Sequence, residues 1–203
     1  MIAQPPSLVL FDLDGVLVSY SHRIRMETLG AAIGRDPDVV FSALFDDGLE
    51  SRYDAGLLTD AQYMQALSDV LGCNVDTPDW LAARAASMHC AQDTCDRIKA
   101  LAGRADVAVL TNNGPLVLES LPAHLTTVIP RERIFFSHVL GVSKPAPVAF
   151  LRVVETLGHA PQRTLFLDDN YANVEGARSA GLQAEQVQSP GEFAGILRDY
   201  GLA

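Results

Sequence analysis

Two carboxylates near the start of the chain, Asp12 and Asp14, have a spacing that suits metal or acid–base chemistry. They follow the apolar run 7–11, which predicts a buried strand over 7–12, and Gly15 then permits a sharp turn. Residues two apart in a strand point the same way, so an extended backbone would aim both carboxylates into one space. Such close like charges repel strongly unless a cation or a shared proton intervenes. The pair therefore predicts a Mg²⁺ site, an acid–base role, or both.

Two other interpretations of this short pattern are a surface turn and a calcium loop. A surface turn would not follow five mostly apolar residues. A calcium loop needs further oxygen ligands a few residues on, and Val16, Leu17 and Val18 supply none. The pattern thus favours a metal at the end of a strand.

A second carboxylate pair, Asp168 and Asp169, ends the fully apolar run 164–167. Its alternative role is capping of the helix that begins near Tyr171. Carboxylates, together with water and phosphate oxygen, are what Mg²⁺ prefers. If the run is a parallel strand beside the first one, metal binding is favoured over capping.

Two further polar positions suit an anion. Thr111-Asn112 follows the apolar run 107–110 and precedes a helix start, where a hydroxyl and backbone N–H groups can bind phosphate; the alternative is a polar turn. Lys144 is a solvated loop residue by default. A site with four carboxylates and a phosphate needs a fixed positive charge, however, and the neighbouring prolines would stiffen its loop.

Short apolar runs alternate with helical patterns in most of the chain, which predicts an α/β fold with a doubly wound parallel sheet. Such sheets bind ligands at the carboxyl ends of their strands, where all of these polar clusters lie. The predicted strands are 7–12, 107–110, 134–136 and 164–167. A helix is predicted from Gly114-Pro115, and a last helix from a capping box at Ser189–Glu192.

Residues 19–91 differ from the rest because they read as almost pure helix, with no strand pattern. A capping box at Thr59–Gln62 and a stop at Gly72 mark one of these helices. The predicted organisation is a core of residues 1–18 and 92–203 with an inserted helical domain at 19–91.

Composition limits the partners. The 203 residues carry 25 acidic against 15 basic side chains, and this formal charge of −10 repels polymeric nucleic acid and anionic membranes. The three cysteines form no C-x-x-C, and no signal-peptide pattern or long apolar run occurs, so a reducing cytoplasm is expected. The sequence carries no signal for an oligomeric state.

The order Asp12-x-Asp14-Gly15, Thr111-Asn112, Lys144-Pro145 and Asp168-Asp169 resembles the four motifs of the haloacid dehalogenase-like hydrolase superfamily. The segments 137–145 and 165–177 resemble its sugar-phosphate phosphatases, and the helical block resembles a cap inserted after the first motif. The resemblance covers about the whole chain.

The resemblance implies a role for each matching residue. Asp12 would be the nucleophile that becomes an aspartyl-phosphate, and Asp14 the general acid and then the base. Mg²⁺ would be held by Asp12, the Asp14 carbonyl and the acid pair, with Asp169 favoured as the direct ligand and Asp168 bound directly or through water. Residues Thr111, Asn112 and Lys144 would hold the phosphoryl group of a small phosphorylated metabolite.

Three other activities are compatible with this resemblance. A haloacid dehalogenase needs neither a metal nor the second aspartate of the first motif. Because Asp14 and the acid pair at Asp168-Asp169 are both present, this activity is disfavoured. A phosphomutase uses the same residues as a phosphatase. A non-catalytic binding protein would not need the intact motif positions.

Within the cap, Arg52 and Tyr53 precede a predicted turn at Asp54–Gly56, and this turn is a candidate for contact with the substrate.

Overall fold

A five-stranded, fully parallel sheet forms the centre of the computed structural model, which describes residues 5–202. The strands in chain order are β1 (Leu8–Phe11), β2 (Ser19–Tyr20), β3 (Met88–His89), β4 (Asp106–Thr111), β5 (Ile134–Phe136), β6 (Thr164–Asp168) and β7 (Gln183–Gln186). The order across the sheet is β5-β4-β1-β6-β7, so β1 lies in the middle. The parallel sheet predicted from the apolar runs is confirmed.

Helices cover both faces of this sheet and build the segment between β2 and β3. The α-helices are α1 (His22–Ile33), α2 (Pro37–Phe45), α3 (Leu49–Asp54), α4 (Asp60–Leu71), α5 (Thr77–Ala86), α6 (Gln92–Ala100), α7 (Ala123–Val128), α8 (Ser137–Leu140), α9 (Pro147–Thr156), α10 (Tyr171–Ser179) and α11 (Ala194–Asp199). The segments Pro115–Ser120, Arg131–Arg133 and Pro161–Arg163 are short 3₁₀ helices.

The two faces of the sheet bury alternate residues of each strand, as the pleat requires. On β1, Leu8 and Leu10 pack with α9 and α10, whereas Val9 and Phe11 pack with the opposite layer that includes α6, α7 and α11. Strands buried on both faces explain why the sequence shows continuous apolar runs instead of alternation.

The helix predicted after Gly114 is present, as a 3₁₀ helix over Pro115–Ser120. One sequence prediction about local structure is wrong. The last helix begins at Ala194 and not at a Ser189–Glu192 capping box. The Ser189 hydroxyl does meet the Glu192 carboxylate, but Gly191 has a left-handed φ of +81°, so these residues form a turn that cannot continue into a helix.

The segment from α1 to α5 is joined to the sheet through a small antiparallel pair. Strand β2 enters the segment and β3 leaves it, with Ser19 opposite His89. The prediction that no strand occurs within 19–91 is therefore wrong at both ends, because two-residue strands are too short to show a pattern. The capping box of Thr59 with Gln62 and the helix stop at Gly72 are present as predicted.

Residues 1–4 and 203 of the predicted core lie outside the described residues. Within 5–202, no helix is both long and apolar enough to cross a bilayer.

Candidate active site

Three neighbouring strands deliver their terminal polar residues to one edge of the sheet. Phe11 of β1 lies opposite Val109 of β4 and Leu167 of β6, so these strands end nearly level. Asp12 follows β1 directly, and its backbone N–H donates to the carbonyl of Leu167 at 2.8 Å. The sheet therefore places Asp12 between the ends of β4 and β6.

Lys144 lies between two carboxylates at this edge. Its Nζ is 2.8 Å from Asp12 Oδ1 and 2.6 Å from Asp168 Oδ2, and the residue is only 4% exposed. A surface lysine would be solvated, so the default interpretation of Lys144 as a solvated loop residue is wrong. Its two carboxylate partners raise the pKa of Lys144 although burial opposes this, which keeps the ammonium charged.

The Asp12 carboxylate is anchored through one oxygen. Oδ1 accepts the Leu13 N–H at 2.7 Å and lies beside Lys144, whereas Oδ2 accepts no hydrogen bond from residues 5–202. Burial raises the pKa of Asp12 to about 8, which outweighs the lowering by Lys144, and the charge of Asp168 adds to the rise. Burial thus opposes the charged form of Asp12, and Lys144 favours it.

The two members of the second carboxylate pair have different surroundings. Asp168 is completely buried and accepts hydrogen bonds from Lys144, from the Asn170 backbone and from the Asn173 amide. Asp169 is exposed, and its pKa is raised by partial burial and by Asp168. Asp168 is thus a structural anchor for Lys144 and the α10 start. The Asp169 carboxylate, by contrast, accepts no hydrogen bond from another residue within 5–202, and in this sense it is free.

Gly15 allows the first motif to approach Asp169. It has a left-handed φ of +84°, and a side chain there would meet Asp169 Oδ2 at 2.5 Å. Only glycine combines this conformation with such a close approach. The Asp12–Gly15 turn therefore lies directly against the free carboxylate.

This donor set fits Mg²⁺. Oxygen atoms of Asp12, Asp168 and Asp169 lie within 4.8 Å of one another. With Asp14 they bring four carboxylates to a site that also holds the buried cations of Lys144 and Arg84. Burial, with a further contribution from Asp168, raises the pKa values of Asp12 and Asp169. Mg²⁺ is bound in proteins through a few such carboxylates, water and phosphate oxygens.

The loop that carries Lys144 is fixed by Asn112. The Asn112 amide donates to the Lys144 carbonyl and its Oδ1 accepts the Lys144 N–H, both at 2.9 Å. Both polar groups of the Asn112 side chain are thus used within the protein. On the other side, a Cβ at Gly176 of α10 would overlap the Pro145 carbonyl, so the missing side chain lets α10 pack against this loop.

Asp14 is oriented by two residues that the sequence analysis did not identify. Its Oδ2 lies 2.6 Å from Arg84 Nη2 and 3.1 Å from Asn113 Nδ2, and the same amide donates to Thr111 Oγ1 at 2.6 Å. Oδ1 of Asp14 is buried and has no hydrogen-bond partner among the described residues. One oxygen of Asp14 is therefore held in place and the other is available to a ligand.

Arg84 comes from α5 of the helical segment, not from the sheet. It is buried, and its guanidinium also stacks on Tyr20 at 4.2 Å from the ring centre. The contact with Asp14 spans 70 residues of sequence. No sequence motif marks an arginine in the last turn of a helix as a partner of Asp14. The contact is seen only because the structure shows how α5 packs on the core.

Arg52, by contrast, is exposed, and within residues 5–202 its side chain makes no hydrogen bond or ion pair. The turn that follows it is docked on the core instead. Tyr53 accepts the Leu116 N–H at 3.2 Å, and the Asp54 carbonyl accepts the Ser137 hydroxyl at 2.6 Å. The turn thus joins the helical segment to the core beside the second motif.

We expect Lys144→Ala to reduce kcat/KM by about 10²-fold or more, because one preorganised charge-stabilising group is typically worth that much. Lys99, the only other lysine, is the matched control, since it lies exposed on α6 beside Asp96. Steady-state kinetics of Lys144→Ala and Lys99→Ala check this, with thermal unfolding to confirm that both fold. An unchanged rate constant for Lys144→Ala contradicts the electrostatic role.

Sequence comparison shows which known proteins this chain is similar to. A family model described as haloacid dehalogenase-like hydrolase matches residues 6–181. A phosphatase of Mycobacterium tuberculosis is 36% identical over 99 residues, which is 46% of this chain and 44% of that protein. The D-ribitol-5-phosphate phosphatase of Bacteroides thetaiotaomicron is 23% identical over 91% of this chain and 93% of its own length.

Solved structures share the whole fold. An enzyme of the same family from Bacteroides thetaiotaomicron, crystallised with magnesium and inorganic phosphate, superposes with a TM-score of 0.81 at 20% identity, over 95% of this chain and all of that one. The sheet and the helical segment therefore have a common arrangement in both proteins.

Proposed function

This chain belongs to the haloacid dehalogenase-like hydrolases and is an enzyme of phosphatase type. We propose that it removes the phosphoryl group from a small phosphorylated metabolite, such as a sugar phosphate. In this proposal the reaction uses Mg²⁺ and passes through an aspartyl-phosphate on Asp12. The observation that carries the proposal is the position of Lys144 between Asp12 and Asp168, beside the free carboxylate of Asp169. This arrangement supplies a nucleophile and the positive charge that a phosphate dianion needs.

In the first step Asp12 attacks phosphorus, and the bond from phosphorus to the leaving oxygen breaks. Asp14 gives its proton to that oxygen, so the alcohol leaves neutral. The partner-free Oδ1 of Asp14 supports this role, since Arg84 and Asn113 hold only Oδ2.

In the second step a water molecule attacks the phosphorus of the aspartyl-phosphate. Asp14, now a carboxylate, takes the proton of the water, and the bond from Asp12 to phosphorus breaks to release inorganic phosphate. Covalent catalysis divides the hydrolysis into two displacements that reuse one site.

The attack of a carboxylate on a phosphate is opposed by charge repulsion, which the residues around Asp12 offset. Lys144 holds its positive charge at 2.8 Å from Asp12. Thr111 and Asn112 are the residues that we propose bind the phosphoryl oxygens. Mg²⁺, held by Asp12, the Asp14 carbonyl and Asp169, with Asp168 bound directly or through water, would neutralise the remaining negative charge.

A phosphomutase is the second candidate, because it uses the same residues and differs in excluding water. A dehalogenase and a non-catalytic binding protein are less well supported, since neither needs the acid pair or an oriented Asp14. The named phosphatase relatives favour hydrolysis.

Phosphate release from a substrate panel tests the proposal. The panel contains p-nitrophenyl phosphate, D-ribitol 5-phosphate, several sugar phosphates and 2-chloropropionate, each with Mg²⁺. We expect phosphate from at least one polyol or sugar phosphate and no chloride from 2-chloropropionate. Isomerised sugar phosphate without free phosphate would identify a mutase, and chloride release would identify a dehalogenase; either result contradicts the proposal.

We further propose that residues 19–91 form a cap that closes over the leaving group. The sheet motifs handle the phosphoryl group but offer little to recognise the rest of a substrate. The β2–β3 pair provides the two connections to the core, and Arg84 and Tyr53 reach the core from the helical side. Closure of such a domain excludes water and completes the site.

Arg84→Ala is expected to lower kcat/KM by roughly 10-fold or more for the preferred substrate, because misplacing an acid–base group weakens catalysis steeply. Arg52→Ala is the matched control from the same segment and should leave the rate unchanged if its exposed side chain is only solvated. Kinetics on the preferred substrate and on p-nitrophenyl phosphate check both. A selective loss with Arg52→Ala on the preferred substrate would support the predicted contact of the turn at Asp54–Gly56 with the substrate.

A further inference from the structure

A cluster of two cysteines and a histidine lies apart from the carboxylate site. Cys90 directly follows β3, Cys95 lies on α6, and His124 lies on α7. The two sulfur atoms are 3.7 Å apart, and a ring nitrogen of His124 lies with them inside a 4.8 Å span. The three side chains come from separate elements, so their convergence results from the tertiary fold and not from local sequence.

The spacing of these atoms matches a tetrahedral site. Two sulfur ligands at the usual Zn–S distance of about 2.3 Å lie about 3.8 Å apart across one edge of a tetrahedron. The observed Sγ–Sγ distance of 3.7 Å agrees with this edge. Both thiols are free, and their only other polar contacts within residues 5–202 are weak ones of 3.7 Å to backbone carbonyls, so no strong interaction competes for the sulfur atoms.

The histidine ring and the space around it also fit a cation. His124 Nε2 lies 3.0 Å from the Cys90 carbonyl, and metal-bound histidines normally hold a second ring nitrogen on such an oxygen. A cavity of about 550 Å³ is lined by Cys90 and His124 together with His89 and Glu119, which leaves room for water as a fourth ligand. Cys90 and Cys95 are buried, and the two negative charges of their thiolates would neutralise a divalent ion, so the loaded site carries no net charge.

We propose that Cys90, Cys95 and His124 bind a zinc-class divalent cation. On binding, each thiol gives its proton to solvent, two metal–sulfur bonds and one metal–nitrogen bond form, and nothing is oxidised or reduced. Thiolate and imidazole select such an ion over Mg²⁺, which takes oxygen ligands. The bound ion would tie the strand that leaves the helical segment to two helices of the core.

Titration of the reduced, full-length protein with Co²⁺ tests this site while saturating Mg²⁺ occupies the carboxylates. We expect a thiolate-to-cobalt charge-transfer band in the near ultraviolet and the intense visible bands of tetrahedral Co²⁺, both removed when Zn²⁺ is added. Cobalt on carboxylates alone gives no thiolate band, so failure of the proposed phosphatase activity would not affect this result.

Variants localise the signal. Cys95→Ser should abolish the charge-transfer band, and His124→Ala, at an exposed position that folding tolerates, should weaken Co²⁺ binding by about 10-fold or more. Cys73→Ser is the matched control and should bind as the parent does, because Cys73 lies outside the cluster. The absence of a thiolate band in the parent protein, the same band in Cys90→Ser/Cys95→Ser, or a Cys90–Cys95 disulfide that persists under reductant overturns the proposal.

Discussion

Asp12→Asn should abolish turnover, with kcat reduced by at least about 10⁴-fold, because loss of a catalytic nucleophile is the most damaging single change in covalent catalysis. Asparagine has nearly the same shape as aspartate. Its oxygen can still accept the Leu13 N–H and lie beside Lys144, so the fold should be preserved. Phosphate release under saturating substrate and Mg²⁺ measures the effect.

Asp47→Asn is the matched control for this substitution, since Asp47 is exposed in the helical segment. It should retain full activity. If Asp12→Asn kept more than a few per cent of the parent rate after repeated purification, another group would have to attack phosphorus, and the assignment of the nucleophile would be wrong.

Removal of the metal should also cause a large loss of catalytic rate. We expect dialysis against EDTA to reduce the rate by about 10³-fold, because the charge stabilisation by a metal ion is worth several kcal/mol. The structure gives a further reason, since oxygen atoms of Asp12, Asp168 and Asp169 lie within 4.8 Å of one another and repel more strongly without a cation. Added Mg²⁺ should restore the rate fully.

Asp169→Asn separates metal binding from other effects of the chelator. Its free carboxylate lies against the Asp12–Gly15 turn, so the variant should need a higher Mg²⁺ concentration for half-maximal rate than the parent. Full activity of the parent protein after rigorous metal removal contradicts a role for Mg²⁺.

The sequence was informative wherever a short apolar run ended in polar residues. Runs at the start of the chain and before Asp168 predicted central strands, because strands buried on both faces are apolar throughout. The parallel sheet then determined that Asp12 and Asp168 meet at one edge. Lys144 was predicted from the need for a fixed positive charge, from its neighbouring prolines and from the family resemblance, and the structure places it between these carboxylates.

The contacts between the helical segment and the core could not be predicted from the sequence. Arg84 reaches Asp14 only because α5 docks above the sheet, and no local pattern records that contact. Asn112 and Asn113 are adjacent, yet they have different partners. The Asn112 side chain hydrogen-bonds to the Lys144 backbone, whereas the Asn113 side chain donates to the Asp14 carboxylate. The backbone turn after β4, and not the residue type, determines which of these two asparagines contacts Lys144 and which contacts Asp14.

The central claim is that the phosphoryl group is transferred to Asp12, and trapping of that intermediate tests it most directly. Asp14→Asn mixed with p-nitrophenyl phosphate and Mg²⁺ should form the aspartyl-phosphate, because the good leaving group needs no acid, and then lose it slowly, because no base activates water. Acid quenching followed by peptide mass analysis should place one phosphoryl group on Asp12. A stoichiometric burst of p-nitrophenol with no phosphoryl group on the protein, or with the group on another residue, would contradict the account.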